Sequence, residues 1–292
     1  MSNSPLVSIC CLTYNHEPYI RDCLEGFVMQ QTNFIFEVLI HDDASTDNTA
    51  AIIREYEVKY PSIIKPIYQT ENQYSKGVKV TSVYNFPRVK GQYVAMCEGD
   101  DYWIDPLKLQ KQVDFLECNQ DYSFSMSRVD VLIEKTKEIK KRKELVNPTQ
   151  KEYFTLRDYL KSPFSQTSSF MFKNDDFDFP SWTAKTHAGD QTLVVLKTGL
   201  KGKIKYHEEC FSIYRLNENS ISFKAKYDVY EKFIETLGYW HEYLNYEYTT
   251  IFTLRKWKTR TQSNYSKHNV GLLMKIYTKI KLRLIDVLLK IV

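Results

Sequence analysis

Apolar and polar residues come in blocks along the first hundred positions, and their period switches repeatedly between strand and helix. "LVSICCL" (6–12) is a short apolar run closed by the polar turn "TYNHEP". Pro18 suits a first helical turn, and Ile20, Leu24 and Val28 then recur at helical spacing. "FEVLIHDD" (36–43) predicts a second strand that ends in two aspartates. A cap-rich stretch follows, with Ser45, Thr46 and Asp47 as caps of a helix whose apolar face runs through Ala51, Ile52 and Tyr56. "IIKPIYQ" (63–69) is a weaker third strand, 79–90 a poorly signalled helix, and "GQYVAMCEG" (91–99) another strand. Asp105 as N-cap and Pro106 at N1 open the helix "DPLKLQKQVDFLECN".

Apolar, β-branched strands alternating with helices predict an α/β protein: a mostly parallel, doubly wound sheet with helices on both faces. In such sheets ligands bind outside the carboxyl ends of the strands. Three strands here end in polar sets, "TYN" (13–15), "DDASTD" (42–47) and "EGDD" (98–101), which would share one crevice.

After residue 120 the pattern changes. "YSFSMSRVDVLIE" alternates, as a strand with one solvated face would, and 135–145 is a charged loop or hairpin tip. "TLRDYL" is a short helix, "QTSSFMFK" a strand, and "HAGDQTLVVLKTG" a helix with Asp190 at its start and Gly199 at C′. One or two strands and a polar loop fill 203–222, and from about 226 the chain reads as helical. These readings divide the chain into a domain over 1–222 and a helical C-terminal region over 223–292.

Composition changes this picture little. The 292 residues carry a net charge of +4, which gives no argument for nucleic acid as a partner. Six cysteines without CxxC spacing fit a reduced, cytoplasmic protein. The start "MSNSPLVSICC" has no basic region or cleavage site, and no uncharged apolar run is long enough to span a bilayer.

The acids carry the chemistry. Glu98, Asp100 and Asp101 crowd the end of a buried strand, where like charges repel unless a cation or donors compensate. Mg2+ or Mn2+ held by Asp100 and Asp101, with a diphosphate completing the shell, would do so. The plainer alternative is that Asp101 caps the next turn. Asp42 and Asp43 could accept hydrogen bonds from a nucleobase or from ribose hydroxyls. No glycine-rich phosphate loop is present, so a metal is the natural substitute. Tyr102 and Trp103 could stack on a sugar face or serve as core or lid, and Arg215 could pair with phosphate oxygens. His187 and His207 are isolated, which points to packing or solvent.

"VSICCLTYNHEPYIRDCLEGFVMQQ", "FEVLIHDDASTDNTAAII", "GQYVAMCEGDDYWIDPLKLQKQVDFLE" and "GDQTLVVL", in this order over about 5–220, resemble the inverting glycosyltransferases of family 2. The resemblance implies the GT-A fold and metal-dependent transfer of a sugar, with inversion, from a nucleotide-diphosphate donor such as a UDP- or dTDP-sugar. It makes Glu98-Gly99-Asp100-Asp101 the D-x-D-like motif, with Glu where the family usually has Asp. It makes Asp43 a nucleoside ligand helped by Thr13, Tyr14 and Asn15, and Asp190 the catalytic base, a role compatible with an N-cap. Inverting transfer needs one base on the acceptor side. The rival readings are a metal-dependent nucleotidyltransferase, whose phosphate loop is missing, and a non-catalytic, membrane-associated nucleotide-binding module.

The tail "NVGLLMKIYTKIKLRLIDVLLKIV" differs from the rest. Leu272, Ile276, Ile280, Leu284 and Leu288 repeat every four residues, interleaved with Lys275, Lys279, Lys281, Arg283 and Lys290. Such a basic amphipathic helix suits an anionic membrane surface, or packs on the domain or a second subunit. The family's habit of elongating lipid-linked glycans favours peripheral attachment to the inner face of the cell membrane, with a lipid-linked acceptor.

Overall fold

The computed structural model describes residues 4–141, 151–161, 163, 166–175, 179–186, 189–199, 202–217, 227–267 and 272–292, without the side chains of 227–228, 264–267 and 272–277. The chain packs as two compact units: Met1–Tyr153 with Ser165–Phe179 and Lys203–Asn217, and Phe154–Phe164 with Pro180–Gly202 and Glu218–Val292. A division near 222 follows chain order; packing instead groups two mid-chain segments with the C-terminal helices.

The first unit is built on one mixed sheet. Its strands are β1 (Val7–Thr13), β2 (Phe36–Asp42), β3 (Ile64–Tyr68), β4 (Tyr93–Glu98), β5 (Tyr102–Trp103), β6 (Tyr122–Ile133), β7 (Glu138–Lys140), β9 (Met171–Lys173) and β10 (Lys203–Leu216). The order is β3-β2-β1-β4-β9-β6-β10-β5. The first four are mutually parallel, as their apolar runs predict, and β6 pairs parallel with β10. β9 runs antiparallel to both β4 and β6, and β5 antiparallel to β10. β2 is buried along its whole length, as a parallel strand covered on both faces should be. β3 is the edge strand, where Pro66 is tolerated because one side needs no donor.

Helices α1 (Ile20–Val28), α2 (Thr49–Lys59) and α3 (Lys108–Cys118) share one core with the odd-numbered residues of β1 and β4 and the even-numbered ones of β2. Of the expected face of α2, Tyr56 is buried and Ile52 packs partly buried against the core, but Ala51 is exposed, and Thr49 and Ile53 complete the buried face. Asp105 is not the N-cap expected of it: α3 begins at Lys108 with Leu107 as N-cap, and Asp105 instead accepts from the Leu107 amide at 2.8 Å in the turn before the helix. The weak helix over 79–90 is a distorted turn pair, Thr81–Asn85 and Phe86–Arg88. β6 has no fully exposed position: Ser125, Ser127 and Asp130 are buried, and Ser123 and Arg128 are partly buried. Gln112 donates to the Ser125 hydroxyl at 3.1 Å, so the alternation records interior hydrogen bonding.

The second unit holds β8 (Phe154–Thr155), α4 (Leu156–Lys161), α5 (Gly189–Thr198), α6 (Tyr227–Tyr243), α7 (Thr249–Lys267) and α8 (Leu272–Ile291). Leu156, Leu160, Val195, Leu237, Trp240, Phe252, Ile285 and Leu289 form its core. Gly199 ends α5 at φ 51°, the left-handed cap expected of it. Among the described residues no helix is long and apolar enough to cross a membrane.

Candidate active site

The parallel register sets Thr13 beside Asp42 and Leu12 beside Glu98, so the ends of β2, β1 and β4 lie side by side. The turns leaving β1 and β2 are zipped together. Asn15, at φ 54°, accepts from the Thr46 amide at 2.8 Å through its side chain and donates its own amide to the Ser45 hydroxyl at 2.9 Å. Glu17 binds the Asn48 amide at 3.0 Å, and Asp47 binds those of Glu17 and Thr49, both at 3.0 Å. Thr13 is fully buried, while Tyr14 is 42% exposed beside it.

The aspartates of β2 divide their work. Both oxygens of buried Asp43 are taken: Oδ1 by the Gln73 amide at 2.8 Å and Oδ2 by the Tyr74 amide at 3.0 Å. Its carboxylate thereby anchors the 72–77 turn. Asp42 accepts from the Ser45 hydroxyl, and burial holds its pKa above the usual carboxylate range against those bonds.

At the end of β4 the pair expected to hold a metal is also split. Asp101 is 3% exposed and turned inward, with Oδ1 accepting the Arg215 amide at 2.8 Å. Burial, then the charges of Asp100 and Glu98, push its pKa well up, opposed by the Arg215 amide and the Ser168 hydroxyl. Asp100 is the half-open carboxylate. Its Oδ2 lies 3.4 Å from Asn217 Nδ2 and 4.0 Å from His16 Nε2. Burial lowers the His16 pKa, opposed by the charges of Asp100, Asp47 and Asp42.

A divalent ion fits this donor set in kind, hard carboxylate oxygen with a neighbouring imidazole. No group of three or more His, Cys, Asp or Glu side chains converges among the described residues, so phosphate oxygens and water would complete the shell.

Arg215, expected to meet phosphate, is engaged within the chain. Nε donates to the Asp100 carbonyl at 2.8 Å, one Nη to Asp22 Oδ2 at 2.8 Å, and the other Nη to Glu134. The guanidinium lies 4.9 Å from the ring centres of both Tyr19 and Tyr102. Burial opposes its charge, but Glu134 and Asp22 outweigh it and raise the pKa. Tyr102 is thus one wall of an arginine cage. Trp103 takes the packing alternative: it is buried edge-on against Phe27 at 4.9 Å, and its Nε1 donates to the Ser168 carbonyl at 2.7 Å.

Asp22, Glu134, Ser168 and His16 were not singled out in the sequence. Asp22 and Glu134 lie 193 and 81 positions from the arginine they bind, beyond any local pattern. His16, three residues after Thr13 in a polar strand end, carried the one usable signal.

Asp190 belongs to the second unit, in the first turn of α5. That turn is fixed by its neighbours: Gln191 accepts from Arg255 at 3.1 Å and Thr192 from Trp240 Nε1 at 3.2 Å. His187 lies outside the described residues. In α8, Thr278, Ile285 and Leu289 are buried, whereas Ile280, Leu284, Val287 and Ile291 are exposed in one stripe. Lys279, Arg283 and Lys290 are exposed alongside, and Lys281 lies 5.2 Å over the Trp257 ring. The side chains of Leu272, Lys275 and Ile276 lie outside the described set.

The sequence model of glycosyl transferase family 2 matches residues 8–179. A protein of Mycobacterium tuberculosis (strain ATCC 25618 / H37Rv), named only as uncharacterized, is 35% identical over 233 residues, 80% of this chain and 65% of that protein. The chain therefore spans less than two thirds of that relative's length. The UDP-Glc:alpha-D-GlcNAc-diphosphoundecaprenol beta-1,3-glucosyltransferase WfaP of Escherichia coli is 34% identical over 122 residues, 42% of this chain and 45% of its own. Among solved structures, the mannosyltransferase PcManGT from Pyrobaculum calidifontis, in complex with GDP-Man and Mn2+, matches with a TM-score of 0.58 at 14% identity. The match covers 96% of this chain and 80% of that one. The shared architecture is the GT-A fold that the motifs imply.

Proposed function

The chain belongs to glycosyl transferase family 2, and from that premise we propose that it is a metal-dependent, inverting glycosyltransferase. It moves a sugar from a nucleotide-diphosphate donor, a UDP- or dTDP-sugar, to a hydroxyl of a lipid-linked glycan in cell-surface polysaccharide synthesis. The observation that carries this reading is the half-open Asp100 carboxylate at the end of β4, in the same unit as the aspartate-tipped end of β2. The names of WfaP and of the mannosyltransferase complex, with their nucleotide sugars, a diphosphoundecaprenol acceptor and Mn2+, support the substrate class and the ion.

In this mechanism Asp100 would hold the ion, with Asp101 bracing the turn behind it. Asp42, Asp43, Thr13, Tyr14 and Asn15 form the nucleoside side, where Tyr14 is the exposed ring. A bound divalent ion supplies charge neutralisation for the leaving diphosphate. Asp190 accepts the proton of the acceptor hydroxyl as its oxygen attacks the anomeric carbon from the face opposite the departing nucleotide. Residues of α8 rest on the anionic inner face of the cell membrane, where a lipid-linked acceptor would lie.

The test is transfer from a panel of UDP-, dTDP- and GDP-sugars to diphosphoundecaprenol-linked acceptors, with Mn2+ or with EDTA. Asp190→Asn should lower the turnover roughly 10²–10⁴-fold while leaving donor binding in place, since Asn keeps the size and polarity of the side chain in the first turn of α5. Donor binding without turnover across the panel would instead indicate a non-catalytic nucleotide-binding module.

A further inference from the structure

We propose that His16, through Nε2, is a ligand of the divalent ion together with Asp100, and that this nitrogen makes the site prefer Mn2+ over Mg2+. The proposal rests on the metal-dependent reading above. His16 Nε2 and Asp100 Oδ2 face each other at 4.0 Å, too far for a hydrogen bond. Two ligand bonds of about 2.1 Å each can bridge that span.

The other ring nitrogen is already engaged, with Nδ1 3.1 Å from the Thr13 hydroxyl. An Nδ1–H donating to that oxygen leaves the Nε2 lone pair directed away. Metal-binding histidines are commonly oriented in this way by an oxygen on the second nitrogen.

The ring is held at both ends of its own residue. The His16 amide donates to the Thr49 hydroxyl at 2.8 Å, and its carbonyl accepts the Tyr19 and Ile20 amides, both at 2.8 Å. The acid turn can approach it because position 99 is glycine: a Cβ there would stand 3.0 Å from His16 Nδ1. Asn217 flanks the same Asp100 oxygen at 3.4 Å. No third acidic, histidine or cysteine side chain completes a cluster among the described residues, so the protein would supply two ligands and leave the remaining positions to diphosphate and water. Mg2+ is held by oxygen ligands, whereas a nitrogen ligand favours a transition ion.

The experiment uses the full chain with UDP and Mn2+, read by electron paramagnetic resonance. Loss of the free-ion signal gives the affinity, and nitrogen modulation of the bound-ion echo reports a directly coordinated imidazole. Wild type should show the modulation; His16→Ala should lose it and bind Mn2+ at least about tenfold more weakly, with an unchanged melting temperature. His16→Asp should restore divalent binding but without preference for Mn2+ over Mg2+. Nitrogen modulation persisting in His16→Ala, or wild-type Mn2+ affinity in that variant, overturns the assignment. So does a folded His16→Asp that keeps the wild-type preference. If wild type takes up no Mn2+ in the presence of UDP, the metal-dependent reading itself fails.

Discussion

The backbone amide of Arg215 donates to Asp101 Oδ1 at 2.8 Å, and the guanidinium of the same residue donates to the carbonyl of Asp100, also at 2.8 Å. One residue on β10 thus holds both members of the acid turn, by main chain and by side chain. The pairing of β10 with β5, Ser212 to Trp103 and Ile213 to Tyr102, delivers it there.

Arg215→Ala should therefore act on stability and on ligand binding together. It leaves the partly buried Glu134 with Lys137 as its remaining ion-pair partner and frees the Asp100 carbonyl. Because Glu134 stays paired with Lys137 and Asp22 is largely exposed, the loss should be about 1–3 kcal/mol, the cost of the freed carbonyl and the lost charge-assisted hydrogen bonds. Arg215→Lys should recover only part of this, because an ammonium cannot reach three acceptors in a fork. Thermal unfolding and UDP titration check both effects; an alanine variant with wild-type melting and affinity would refute the bracing role.

Gly99 carries a second, steric demand. A Cβ there would lie 2.6 Å from Thr13 Oγ1 and 2.7 Å from Thr13 Cβ, closer than real Cβ atoms approach. Gly99→Ala should cost roughly 1–3 kcal/mol and weaken UDP binding by moving the end of β4. Gly189→Ala, where nothing stands within 4 Å, is the control and should be neutral or stabilising. Equal denaturation midpoints for the two variants would show that the β1–β4 contact tolerates a side chain.

How far the sequence could be read is visible in these residues. β1, β2 and β4 were legible because strands buried on both faces leave continuous apolar runs, and their polar ends marked the ligand edge. The face of α2 was legible only in part: adjacent Ile52 and Ile53 satisfy two helical registers, and packing buries Ile53 fully and Ile52 partly while leaving Ala51 out. Trp103 and Arg215 are residue types common to cores and ligand sites alike. Their environment comes from Phe27, Ser168, Glu134 and Asp22, which no local window contains. Asp101 and Asp100 are adjacent and identical in sequence; only the fold turns one inward.

His207 gives a pH dependence. It is hydrogen-bonded to Ser125 at 3.1 Å and packed by Phe115 and Phe211. Burial first, then the charge of Lys205, push its pKa down to about 4. The unfolded chain takes up the proton near pH 6.5 and the folded chain only near 4. The associated stability is thus complete above 6.5 and is lost as pH falls towards 4, at up to about 1.4 kcal/mol per unit. His207→Gln, which can still bond Ser125, should lose less stability than wild type between pH 7 and pH 5. Parallel urea midpoints for both proteins across that range would show that His207 does not titrate in this way.

The tail offers the sharpest separation of two roles. The buried ridge of α8, Ile285 and Leu289, belongs to the core of the second unit, and Lys258 pairs with Asp286 at 2.7 Å. Deleting the helix would therefore damage packing whatever else it does. The stripe of Ile280, Leu284, Val287 and Ile291 faces outward, with Ile291 74% exposed, beside Lys279, Arg283 and Lys290. Apolar burial plus roughly 1 kcal/mol per basic residue near an anionic surface should hold this stripe on vesicles containing phosphatidylglycerol. Binding should weaken on zwitterionic vesicles and at high salt. Ile280→Glu with Leu284→Glu should abolish co-sedimentation and leave the melting temperature within a few degrees of wild type, because neither side chain is in the core. Ile285→Ala should do the reverse, with melting lowered by the loss of a buried aliphatic side chain and vesicle binding retained below the transition. If the double glutamate variant sediments with anionic vesicles as wild type does, the stripe is not the membrane contact; if it instead dissociates a dimer seen in sedimentation velocity, the stripe faces a second copy of the chain.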